Sequence, residues 1–128
     1  MWLLRRVRGR YFPAKPPEED PDVRTKLVVR AMFAELKRTS IAQSSTLMLV
    51  LLPTVFDLES LNPWNSYAHE AAEEEGIPII DVIPVFRGRS DARDLFLSEG
   101  FAAGHYNNAG HAVVSTVVAD AIKAVSGR

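Results

Sequence analysis

Thr46-Leu47-Met48-Leu49-Val50-Leu51-Leu52 runs without a charge and is halted by Pro53. A continuous apolar run of this length, ended by proline, suits a strand buried on both faces in a parallel sheet. A second β-branched run, Ile77 to Val82 (IPIIDV), follows, and Pro84 is expected to end it. Between the two, Tyr67 to Glu75 reads as a helix closed by Gly76, since glycine takes the left-handed conformation that ends helices. Strand, helix and strand in this order form a βαβ unit with a right-handed crossover. Pro53 to Trp64 is expected to be loop.

The flanks extend the pattern. Asp22 stands where an N-cap would, and Val23 to about Gln43 reads as a helix. Its middle, Leu27 to Phe33, is apolar on a wide arc, which implies a well-covered helix. Arg87 to Gly104 is irregular, with one helical turn near Asp91 to Phe96. Asn108 to Val125 forms the closing helix: Val114, Val117, Val118, Ala121 and Val125 share one face, opposite Thr116, Asp120 and Lys123. Asn107 or Asn108 can cap its start. Residues 1–21 combine Arg5, Arg6, Arg8 and Arg10 with four prolines between Pro13 and Pro21, and read as a basic, proline-rich arm or linker. Residues 22–128 then form the α/β segment. Two strands fall short of the roughly five of a doubly wound sheet.

Composition narrows the function. The 15 basic and 16 acidic side chains leave a formal net charge of −1, so no global field favours nucleic acid or an anionic membrane. No apolar run reaches the roughly 20 residues of a membrane-spanning helix. The chain has no cysteine, which excludes a disulfide framework, a thiolate metal site and a cysteine nucleophile, and leaves the compartment open.

Three histidines remain. His69 lies on a glutamate-rich helix and is read as solvent-facing; His111 is read as a half-buried residue at the edge of the closing helix. His105 stands among small neighbours just before that helix, where its ring is accessible, and an accessible neutral imidazole is what a general base requires at neutral pH. The spacing of His105 and His111 crosses from loop into helix, unlike a helical zinc pair, so no metal and no cofactor is expected. Asn62-Pro63-Trp64-Asn65 follows the first strand, where ligands of open α/β sheets bind, making Trp64 and Asn65 substrate-contact candidates; the alternative is an aromatic lid on the core. Arg87, Arg89 and Arg93 either hold an anion or form a solvated loop. Glu73-Glu74-Glu75 is a solvated helix end, set against the helix dipole.

Gly104-His105-Tyr106-Asn107-Asn108-Ala109-Gly110-His111, followed by an apolar helix, resembles the last conserved block of SGNH/GDSL-type hydrolases. Leu47 to Pro53 is similar to that family's late hydrophobic strand, and Ile77 to Val82 to the strand before its catalytic loop. The resemblance covers about Val23 to Val125. It implies a partial flavodoxin-like α/β/α sandwich with parallel strands, and carboxylester hydrolysis through an acyl-serine intermediate, with an aspartate orienting the histidine. His105 takes the family's base position, and Asn107 its following asparagine, read here as a helix cap.

The chain departs from the family at several blocks. No serine lies in Gly-Asp-Ser, no Gly-x-Asn-Asp block is found, and Ala102 and Ala103 stand where the triad aspartate should precede the histidine. Glu99 and Asp94 are the nearest upstream carboxylates, Glu99 being the candidate acid; Asp81, ending its strand, is read as a cap or turn residue. The expectation is the C-terminal part of such a hydrolase, inactive alone, whose substrate class is a small ester or an acylated carbohydrate. The alternatives are a non-catalytic binding or assembly module, self-associating through an exposed sheet edge, and the remnant of a polysaccharide O-acyltransferase relative.

Overall fold

A computed structural model describes residues 22–60, 62–98 and 104–126. The chain is mixed α/β and mostly helical: among the described residues there are four α-helices, two short 3₁₀ turns and a two-stranded parallel sheet. The expected N-terminal arm lies outside the described residues. The described chain falls into two compact units, residues 22–52 with 62–82 and residues 53–60 with 83–126.

The first unit opens with α1 (Val23–Ala42). The Asp22 carboxylate accepts from the Thr25 backbone N–H and hydroxyl, both at 2.9 Å, satisfying a donor that the helix leaves open. At the far end Ser44 adopts φ 54°, the Ser44 N–H reaches the Ile41 carbonyl, and the Ser45 N–H reaches the Ser40 carbonyl. This is a Schellman close with serine in the glycine position. Strand β1 (Leu49–Leu51) follows, then α2 (Pro63–Glu74), then β2 (Ile79–Asp81). β1 and β2 pair in parallel, Leu49 with Ile79, Val50 with Ile80 and Leu51 with Asp81. α2 begins earlier than its apolar pattern suggests, because Asn62 caps the Trp64 N–H and Pro63 fits the first helical position. It ends as expected at Gly76, whose φ of 61° permits the same Schellman close, with Ile77 N–H on the Ala72 carbonyl.

Tyr67, Ala71 and Ala72 of α2, with Ile77, Ile80 and Val82, are the buried apolar side chains here. α1 is tied to α2 along one stripe: the Tyr67 hydroxyl donates to the Lys26 carbonyl at 2.6 Å, Arg30 pairs with Glu74 at 2.6 Å, and the Lys37 ammonium caps the Glu75 carbonyl. These cations answer the acidic C-terminus of α2.

Two expectations are corrected in this unit. The β1 run is not buried on both faces: Val50 is 38% exposed, so the side of the strand it points to is not closed by a covering layer. Nor is α1 well covered. Val28 is 53% and Met32 56% exposed, because a single neighbouring helix covers less than the arc these residues span.

The second unit comprises a 3₁₀ turn (Phe56–Leu58), α3 (Ile83–Arg87), a second 3₁₀ turn (Ala92–Leu95) and α4 (Asn108–Ser126). Thus the stretch after Pro53 is not all loop, whereas the second strand run ends at Asp81, as expected, ahead of Pro84. It sits in the first turn of α3, where its missing N–H costs nothing. The turn near Asp91 forms where expected. Phe86, Leu95 and Phe96 are buried, and Phe86, Phe96 and Tyr106 make a ring cluster with centroids 5.2 to 5.7 Å apart. The apolar face of α4 is only half covered, and Val125 at its end is 47% exposed.

Candidate functional site

The histidine expected to act as base is presented by a short, heavily braced segment of the second unit. Phe96 and Tyr106 form an antiparallel bridge. Beside it the Leu97 N–H donates to the His105 carbonyl and the Gly104 N–H to the Leu97 carbonyl, each at 2.8 Å. Gly104 takes φ 85°, a conformation costly for any side chain bearing a Cβ. The Tyr106 hydroxyl donates to the Pro53 carbonyl. Burial, and then the negative charge of Asp57, push the Tyr106 phenol up to about 12. Asn107 works in both directions: its Nδ2 donates to the Asp94 carbonyl at 2.5 Å, and its Oδ1 accepts the Gly110 N–H at 3.0 Å. Of the two asparagines that could cap α4, the structure selects Asn107. Gly110 is held so close to the preceding turn that a Cβ there would fall on the Leu95 carbonyl oxygen.

The backbone at 104–107 is therefore fixed from several sides, while the His105 side chain is exposed. Among the described residues no group hydrogen-bonds its ring. Asp94, one of the two upstream carboxylates, contributes its backbone carbonyl to Asn107. Glu99, Ala102 and Ala103 lie outside the described residues. An imidazole in this setting can take up a proton, but among the described residues it has neither an orienting carboxylate nor a hydroxyl nucleophile bonded to it.

The other candidates are placed as follows. Trp64 and Asn65 belong to the first turn of α2 in the first unit, both half-buried, with the Asn65 N–H on the Asn62 carbonyl. His111 is exposed rather than half-buried, and packs edge-on against Tyr106 with centroids 5.7 Å apart. The three arginines hold protein groups. Arg87 donates to the carbonyls of Asp57 and Ser60, Arg89 pairs with Asp91 at 2.8 Å, and Arg93 pairs with Glu59. The Arg89 guanidinium holds the Asp91 carboxyl below its ordinary value.

Two arrangements escaped the sequence reading. His69 is not simply solvent-facing: its Nε2 lies 2.9 Å from Asp81 Oδ2, so the strand-end aspartate is a partner of the preceding helix rather than a turn residue. The signal was there in the βαβ order, which brings mid-helix and strand end to one level. Asp57 is 3% exposed, and its carboxylate accepts from the Thr54 N–H at 2.7 Å and the Thr54 hydroxyl at 2.6 Å. The Thr54-Val55-Phe56-Asp57 spacing, typical of side-chain capping around a turn, was its signature.

No helix among the described residues is long and apolar enough to cross a membrane, and no group of three potential metal ligands is found among them. No family model, curated protein or solved structure matches the chain.

Proposed function

We propose that the chain is the C-terminal part of an SGNH/GDSL-like carboxylester hydrolase, a partial flavodoxin-like sandwich in which His105 occupies the base position, and that alone it does not turn over esters. The observation that carries this reading is the braced segment at 104–107. Its backbone is fixed by the Tyr106 and Asn107 side chains, and it delivers an exposed imidazole immediately ahead of a long closing helix. That is the position from which a base would serve a serine supplied by an earlier block. The parallel β1-α2-β2 order preceding it supports the same assignment.

Silence follows from what the sequence lacks. Without a placed serine there is no acyl-enzyme, and without the Gly-x-Asn-Asp block the tetrahedral oxyanion loses a donor worth about 3 kcal/mol. Hydrolysis of p-nitrophenyl acetate by the purified chain tests this: no saturable turnover, and no difference between wild type and His105→Ala, is expected. Saturable turnover abolished by His105→Ala would overturn it.

The second reading, a non-catalytic assembly module, draws on the open apolar side of α1 and on the sheet, in which β1 and β2 are the two paired strands among the described residues.

A further inference from the structure

Among the described residues Asp57 is the one charged side chain that is buried, at 3% exposure. Burying a carboxylate is costly unless donors meet it, and here Oδ2 is met twice, by the Thr54 N–H at 2.7 Å and the Thr54 hydroxyl at 2.6 Å. The other end of the same peptide group is also held, because the Tyr106 hydroxyl donates to the Pro53 carbonyl. The Pro53 carbonyl and the Thr54 N–H belong to one planar amide, so the two bonds grip a single rigid unit from opposite sides. A carboxylate on the N–H polarises that amide and makes its carbonyl a stronger acceptor for the phenol. Burial, and then the Asp57 charge, favour the protonated phenol, so the donor of the second bond is kept. Arg87 anchors the turn in its place by donating to the carbonyls of Asp57 and Ser60.

The effect reaches His105 through its neighbour. Tyr106 lies in the extended stretch that bridges to Phe96, where successive side chains leave on opposite sides. Tyr106 packs against Phe86 and Phe96, and His105 is exposed. Whatever fixes the Tyr106 hydroxyl therefore fixes where the imidazole is presented.

We propose that Asp57 is a positioning residue for His105, acting through the Pro53–Thr54 peptide and the Tyr106 hydroxyl. What the positioning serves rests on the reading of His105 as a base; the coupling itself does not.

NMR of the full chain tests the coupling. In Tyr106→Phe the Thr54 amide proton should move to higher field, although the lost hydroxyl bonds the far end of the amide, because the polarising donor is gone. The Leu97 N–H on the His105 carbonyl and the Asn107 N–H on the Leu95 carbonyl report on the His105 segment. In Asp57→Ala their hydrogen exchange should quicken by about tenfold more than that of amides in the middle of α4. Asp57→Asn keeps an acceptor oxygen for Thr54 and should restore most of the protection. The double variant Asp57→Ala/Tyr106→Phe should exchange no faster than the more affected single variant, since both act through one amide. An unmoved Thr54 resonance in Tyr106→Phe overturns the proposal, and this measurement decides even where Asp57→Ala does not fold. Equal quickening of the Leu97, Asn107 and α4 amides in Asp57→Ala, the mark of a general loss of stability, also overturns it, as do additive effects in the double variant. None of these measurements involves ester turnover, so a failure of the coupling is distinguished from a failure of the base assignment.

Discussion

At the scale of single residues, the two helix C-termini of the first unit offer a controlled comparison. Both close with a Schellman motif, but α2 uses Gly76 and α1 uses Ser44 at φ 54°. A left-handed serine costs on the order of 1 kcal/mol that glycine does not pay. Ser44→Gly should therefore raise stability by about 0.5–1 kcal/mol, read as an increased denaturant midpoint at constant slope. Gly110 gives the opposite sign. Its Cβ would strike the Leu95 carbonyl, a backbone atom with little room to retreat, so Gly110→Ala should cost about 1–3 kcal/mol. Chemical denaturation of the two variants in parallel checks both signs at once.

Titrating residues make equally definite statements. The Thr25 backbone hydrogen bond, with the Thr25 hydroxyl, holds the Asp22 carboxyl below 3.8. Folding thus favours the ionised form, and the cap is fully effective above 3.8, the ordinary value. It is lost as pH falls through the lower, folded value. Fraying of the first turn of α1 under acid, followed through the Thr25 amide resonance, is expected in wild type and should be present at neutral pH in Asp22→Ala. Tyr106 behaves inversely. Its phenol is raised from 10.0 to about 12, so the fold holds the proton that the unfolded chain releases. Stability should fall as pH rises above 10 and continue falling towards 12, and Tyr106→Phe should flatten that contribution while losing about 1 kcal/mol from the hydrogen bond to Pro53.

Among the elements, the sequence was most readable where one residue dominates a local conformation. Asp22, Gly76 and Asn107 act through their own backbone neighbours, and each marks the boundary it was expected to mark. Pro84 was read for half of what it does: the strand run ends ahead of it, as expected, and the same proline then fits the first turn of α3, a helix start that the strand reading did not include. Burial was less legible, because an apolar pattern states what a face prefers and not whether a neighbour is there to meet it. α1 and β1 have the composition of covered elements and keep Met32 and Val50 exposed. The His69–Asp81 pair was missed for a related reason: each residue looks ordinary on its own element, and only the crossover makes them partners.

For the molecule as a whole, the coarse class is secure in both descriptions, a parallel α/β unit followed by a helix-capped loop that carries a histidine. The candidate site was legible in its position but not in its bracing: nothing in the local pattern announced that Tyr106 would reach Pro53, or that Asn107 would hold Asp94 as well as cap α4. Two parallel strands are a small sheet, and sheets of this type usually hide both faces under further layers.

The central claim, that His105 occupies the base position of an acyl-hydrolase triad, is open to a test that does not depend on activity. The family pattern places the orienting aspartate three residues before the histidine, where this chain has Ala102. Nitrogen-15 NMR of the His105 ring in Ala102→Asp reads the geometry directly. If the position is correct, the new carboxylate meets the ring. A low-field hydrogen-bonded N–H proton then appears, and the ring's protonation midpoint moves to higher pH by about one unit or more, since an adjacent anion stabilises imidazolium. An unchanged titration and no new low-field proton, in a variant whose folded spectrum matches wild type, would contradict the assignment of His105 as a triad base.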